Sequence, residues 1–215
     1  LKRIFASNTK AKSLKYISKH YDLGNSFFSE WLDKTLTYSS AVYENKSDSL
    51  EDAQKNKYQK LIDLLEVKDG NKVLEIGCGW GLLGLYCAKT FGSKVTGIDA
   101  DKNVLSYLQL HADLNDLKMK GEKKSFQQLT IDYLSNFDLV LGADICYWDE
   151  MTGILANLIA RSKRAGVKQV IIADPCRPPF TDLAELCKNK YENVEVEEKF
   201  LSRPVSASGE ILIVS

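Results

Sequence analysis

The chain has 215 residues, 44% hydrophobic and 27% charged, and its 29 basic and 29 acidic residues leave a formal charge of zero. That length suits one hydrophobic core with little left over for a second domain, and the balanced charge gives no whole-chain attraction to nucleic acid. No apolar run approaches the roughly 20 residues that a membrane-spanning helix needs, and Cys78, Cys87, Cys146, Cys176 and Cys187 form no C-x-x-C pair, so a cytoplasmic protein with reduced thiols and no metal site is expected.

The first twenty residues carry Lys2, Arg3, Lys10, Lys12, Lys15 and Lys19 and no acid. Such a segment suits an anionic membrane or a phosphate-rich partner, and a solvated helix face is the simpler reading; peripheral membrane contact is one expectation. Apolar residues then recur at helical spacing, first Leu14 and Ile17, next Phe27, Phe28 and Trp31. A long stretch over 49–66 follows, with Tyr58, Leu61, Ile62, Leu64 and Leu65 on one face and Ser47 or Asp48 as its cap. Residues 1–66 therefore read as an N-terminal helical cap and 67–215 as the core.

After Gly70 short β-branched runs alternate with helical segments, the pattern of βαβ units and a parallel sheet. Strands are expected at 72–76, 94–98, 123–127, 137–143, 169–174, 194–200 and 210–214. Helices are expected after the first strand and at 102–114, 150–162 and 180–188. The result is an α/β, Rossmann-like sheet of seven strands, mostly parallel, with an antiparallel C-terminal edge.

The turn after the first strand reads EIGCGWG, from Glu75 to Gly81. Glycines there let the backbone approach a ligand at a helix N-terminus. Two cofactors compete for it. Gly79, Gly81 and Gly84 match the G-x-G-x-x-G spacing of dinucleotide sites, with Asp99 at the end of the second strand for ribose hydroxyls. The alternative is E-x-G-x-G-x-G, the arrangement typical of class I methyltransferases, in which Glu75, Gly77, Gly79, Gly81 and Asp99 serve S-adenosylmethionine.

Two resemblances bear on that choice. Over residues 12–81 the chain resembles the cyclopropane-fatty-acid synthase and mycolic-acid methyltransferase family through HYDLGN, FFSEWLD, TYSSAVYE, SLEDAQ and EIGCGWG. This resemblance implies N-terminal helices closing over the cofactor and contacts from Tyr38 and Ser39. Over 82–215 it is similar to nicotinamide-methylase-like and protein-lysine N-methyltransferases with an Asp-x-x-Tyr motif, through VTGIDAD, LQLHADLN, GADICYWDEM, AGVKQVIIADPCRPPF and RPVSASGEILIV. Both imply S-adenosylmethionine on a Rossmann-like fold; Ala100 and Phe126, in the loops after the second and third strands, complete the expected cofactor set. The synthases' Glu-His pair is replaced by Tyr147 and Trp148, the glycine of the N-methyltransferases' A-D-P-G-R-P-P-F by Cys176, and their acid after the third strand by Ser125.

Methyl transfer from a sulfonium is an in-line displacement that needs alignment and exclusion of water rather than a metal. Asp144 and Tyr147, at the carboxyl end of the fourth strand, are the candidates for positioning the acceptor, with an aromatic wall as the other reading of Tyr147. Asp174 fits a turn or a cap as well as the cleft. The expected acceptor is an amine, on a protein lysine or a small metabolite. The alternatives are an unsaturated acyl lipid, as the N-terminal half implies, and a non-catalytic or recombined cofactor-binding module.

Overall fold

The computed structural model describes residues 27, 29–34, 41–65, 70–201 and 207–215. Tyr38, Ser39 and the basic first twenty residues lie outside them. By its contacts the chain divides into Leu1–Lys55 and Asn56–Ser215.

In the first unit Phe27 and Trp31 meet edge to face at 6.2 Å, and the backbone N–H of Val42 donates to the carbonyl of Ala53 at 2.9 Å. Helix α1 (Leu50–Leu65) begins at a capping box. The N–H of Asp52 donates to Ser49 Oγ at 3.1 Å, and the N–H of Ser49 donates back to Asp52 Oδ2 at 3.2 Å. The cap is thus Ser49, not Ser47 or Asp48. The carboxylate of Asp48 is occupied by the preceding turn, where it accepts from the N–H groups of Glu44 and Asn45 at 2.9 and 3.0 Å.

The second unit is built on one seven-stranded sheet of order β3-β2-β1-β4-β5-β7-β6. Its strands are β1 (Lys72–Ile76), β2 (Lys94–Asp99), β3 (Lys120–Lys123), β4 (Leu139–Ala143), β5 (Gln169–Asp174), β6 (Val194–Leu201) and β7 (Ala207–Val214). The first five are parallel, and β7 runs antiparallel to both β5 and β6. The antiparallel strand is therefore one place in from the edge, and β6 forms the edge itself.

Successive side chains of a strand face opposite ways, and here both faces are covered. Leu74, Ile76, Ile98, Val140 and Ile172 pack with Leu155, Leu158 and Ile159 of α5 (Asp149–Arg164) and with Phe180 and Leu183 of α6 (Pro178–Lys190). On the other face Val73, Val95, Leu139, Leu141 and Ile171 meet Leu85 and Cys87 of α2 (Leu82–Phe91) and Leu108 of α3 (Val104–Leu114). Burial on both faces is why these strands read as near-continuous apolar runs. The short helix α4 (Ile131–Leu134) precedes β4.

The third strand departs from expectation. It occupies Lys120–Lys123, ahead of the expected 123–127, and Phe126–Gln128 forms a 3-10 turn. KGEK carries no apolar alternation and is held by backbone pairing with β2. The turn closes locally, the N–H of Ser125 donating to Gln128 Oε1 at 2.8 Å.

Candidate active site

From β1 the chain crosses to β2 on one side, whereas β4 and β5 lie on the other, so the loops at the carboxyl ends of β1 and β4 diverge. A crevice at such a switch point is where open α/β sheets bind ligands. The residues from Gly77 to Gly81 sit there, tied to their neighbours by backbone bonds: the N–H of Cys78 donates to the carbonyl of Ile98 at 2.9 Å, and that of Gly81 to Cys78 at 2.7 Å.

Two of the glycines illustrate different needs. Gly81 has φ 74°, and a Cβ there would lie 2.7 Å from Leu108 Cγ, so helix α3 forbids a side chain. Gly79 has φ 51°, but no described atom lies within 4 Å of where its Cβ would be. Its backbone faces open space, as a ligand-approaching turn requires.

Asp99, at the end of β2, accepts from the N–H of Gly79 at 3.0 Å and from that of Asp101 at 2.9 Å. Glu75 lies beneath the loop, 5% exposed, and accepts from the N–H of Gly84 at 3.1 Å. Burial pushes its carboxyl up to about 8. A Cβ on Gly84 would stand 2.5 Å from Glu75 Oε2, so the third glycine of the dinucleotide spacing is accounted for by room for this carboxyl. The open backbone at Gly79 and the side chain of Asp99 beside it fit a cofactor with a ribose, such as S-adenosylmethionine.

Phe126 approaches from the 3-10 turn, its Cζ 3.5 Å from the Cβ position of Gly77. The turn is held from outside: Arg161 of α5 donates through Nε to the carbonyl of Leu129 and through a terminal nitrogen to that of Phe126, both at 2.8 Å. Ala100 is exposed in the bend after β2. Trp80, inside the glycine loop, stacks on Tyr107 at 5.4 Å and on His111 at 5.9 Å, and burial lowers the His111 pKa.

Asp144 and Tyr147 come together after β4, with Tyr147 Oη donating to Asp144 Oδ2 at 3.2 Å. Asp144 has φ 57°, and Cys176, on the next loop, φ 66°; both are non-glycine residues in the left-handed region, a kind of strain that gathers at functional sites. Asp174 ends β5 and is buried, with its carboxyl pushed up to about 6 by desolvation. It does cap the turn, accepting from the N–H of Arg177 at 2.8 Å.

Sequence reasoning missed Arg177. A terminal nitrogen of its guanidinium lies 3.0 Å from Asp174 Oδ2 and also contacts Asp144 Oδ1, while the guanidinium carbon stands 4.2 Å over the ring of Tyr147. The available signal was Pro178 and Pro179, which open α6 and hold the preceding residue extended, at φ −73° and ψ 148°. A groove of about 650 Å³ beside Lys72, Ser93, Lys94 and Tyr133 lies at the opposite, amino ends of β1 and β2, away from these groups. Among the described residues no His, Cys, Asp and Glu cluster could hold a metal, and no helix is long and apolar enough to cross a membrane.

A parallel sheet extended by an inserted antiparallel strand, with a glycine loop after β1 and an acid after β2, defines the class I S-adenosylmethionine-dependent methyltransferases. Residues 8–142 match the family described as mycolic acid cyclopropane synthetase, and the chain belongs to that family. The match ends at Gly142, ahead of Asp144. The chain is 37% identical over 127 residues to the cyclopropane-fatty-acyl-phospholipid synthase of Escherichia coli K12, covering 53% of itself and 33% of that protein. It thus spans about a third of that relative's length.

Among solved structures, the cyclopropane synthase MmaA2 of Mycobacterium tuberculosis superposes with a TM-score of 0.65 at 18% identity, over 86% of this chain and 76% of that one. Coclaurine N-methyltransferase, bound to N-methylheliamine and S-adenosylhomocysteine, gives 0.65 at 15%, over 86% and 60%. At such identities both likenesses concern the fold alone.

Proposed function

We propose that this chain carries an S-adenosylmethionine-dependent methyltransferase activity directed at unsaturated acyl chains of lipids. The observation that supports this most is the family membership, which runs through the glycine loop, together with a relative named for acting on fatty-acyl phospholipids. The acceptor thus moves from the amine expected from the C-terminal half to the lipid implied by the N-terminal half.

In this reading Gly77, Gly79 and Gly81 shape the cofactor turn, Glu75 and Asp99 face its amino-acid and ribose parts, and Ala100 and Phe126 flank its base. The family resemblance assigns Tyr38 and Ser39, which lie outside the described residues, to the cofactor as well. When bound, the cofactor would supply an electrophilic methyl group, and a carbon–carbon double bond that accepted it would become a cation that has to lose a proton. Asp144, whose side chain is 60% exposed at the carboxyl end of β4, is the proton acceptor we assign. Tyr147 steadies that carboxylate and walls the site against water. The basic first twenty residues would draw the chain to an anionic bilayer.

The test is to incubate the purified chain with methyl-labelled S-adenosylmethionine and vesicles of monounsaturated phosphatidylglycerol, then analyse acyl chains by mass spectrometry. Label in the acyl chains is expected. Label confined to protein or small amines, with unchanged lipid, would rule the proposal out.

A further inference from the structure

We infer that Arg177 is a positioning residue for the acceptor side of this reaction, a single guanidinium that anchors on Asp174 and fixes both Asp144 and Tyr147 before an acceptor arrives. The inference rests on the methyltransferase reading above and adds to it a residue outside the family-matched span.

Three contacts converge on one planar group. The Asp174 side chain is 0% exposed and that of Arg177 22%. Arg177 meets Asp174 through its backbone N–H, through Nε at 3.3 Å and through a terminal nitrogen at 3.0 Å. Those contacts pair the buried acid with a charge and satisfy Oδ1, while Oδ2 meets the guanidinium without a hydrogen bond. The reach to Asp144 is different in kind, because Asp144 is largely exposed and its desolvation demands no partner. What that contact does is geometric. An exposed carboxylate otherwise samples several rotamers, and here Oδ1 is held by the guanidinium and Oδ2 by Tyr147. The face of the same guanidinium lies on the Tyr147 ring, so ring and carboxylate are locked together.

The fold makes the arrangement possible. Ala143 and Ala173 are paired across β4 and β5, and the N–H of Asp144 donates to the carbonyl of Ala173 at 2.8 Å. The two acids therefore leave adjacent strands side by side, and Arg177, fixed by the prolines that start α6, is between them. A lysine could neutralise one acid but has no planar fork to span two and stack on a ring.

The test compares wild type with R177A, R177K and, as a control on exposed helix surface, R164Q. Turnover on the phosphatidylglycerol vesicles and the dissociation constant of S-adenosylhomocysteine are both measured. A small misplacement near the reacting atoms can cost about a hundredfold. We expect kcat to fall about that much in R177A and R177K while cofactor-product affinity stays within about twofold. Millimolar guanidinium should restore part of the R177A rate, and equal sodium should not, a response that a merely structural role would not give.

Three outcomes overturn the inference. In one, R177A and R177K turn over within about threefold of wild type. In another, cofactor affinity falls together with turnover, marking a general structural role. In the third, wild-type protein binds S-adenosylhomocysteine but methylates no lipid, which removes the lipid reading and this inference with it. Should R177A fail to fold, R177K still decides between them.

Discussion

Glu75 is the residue whose chemistry is most constrained. Its carboxyl is buried and titrates near 8, above the ordinary 4.5. For such a group, stability is fully present below the unfolded value and is lost as pH rises through the folded one. Wild-type stability should therefore decline by on the order of 3 kcal/mol from about pH 5 to pH 8 through this group. Glu75→Gln keeps an oxygen to accept from Gly84 and mimics the protonated form. Urea midpoints across that range should flatten in the variant and exceed wild type at the alkaline end. An unchanged pH slope would remove the assignment of the titration to Glu75.

Asp144 tests the acceptor side separately. Asp144→Asn retains the shape and can still accept from Tyr147, but it cannot take a proton. Lipid methylation should drop by about a hundredfold with cofactor affinity unaffected. Asp144 and Tyr147 were legible in the sequence because they sit three residues apart after one strand. Arg177 was not. Its partners Asp144 and Asp174 stand just after β4 and at the end of β5, 33 and 3 residues away, and only the register of β4 with β5 brings them to one guanidinium.

At the scale of elements, the glycine loop and α3 form one packed unit. A methyl group on Gly81 would have to enter Leu108, at 2.7 Å, from a backbone with φ 74°. Gly81→Ala should therefore cost about 2 kcal/mol or more in denaturant unfolding. A loss well below 1 kcal/mol would mean that α3 gives way easily. The elements that sequence reading placed well are those with a strong pattern: β1, β2, β4 and β5 are apolar runs, and α5 carries a one-sided apolar stripe. The misplaced one, β3, is KGEK, whose pairing comes from the exposed edge of β2 and leaves no periodicity. The helix cap shifted by a residue for a comparable reason: Asp48 and Ser49 both precede an acid by three, and the turn behind Asp48 claimed its side chain.

For the whole molecule, alternation of strands and helices fixed the α/β class, and the order of the last two strands follows from pattern: β7 ends in the continuous apolar run Ile211–Val214, buried beside β5, whereas β6 alternates Val194, Glu195, Val196 and Glu197 at the edge. The cofactor can be read in the same global way. A ligand that binds only the folded chain stabilises it by RT ln(1 + [L]/Kd), about 2.7 kcal/mol at a hundredfold excess over Kd. For a chain of this size that corresponds to roughly 5–10 °C in Tm. S-Adenosylhomocysteine at saturation should raise Tm by that amount, and NAD at equal concentration should leave it unchanged, because the third glycine of the G-x-G-x-x-G spacing, Gly84, is accounted for by room for the Glu75 carboxyl. A rise with NAD and none with S-adenosylhomocysteine would return the loop to its dinucleotide reading. The shift should persist in Asp144→Asn, because that side chain stands after β4 at the acceptor side and not beneath the cofactor turn.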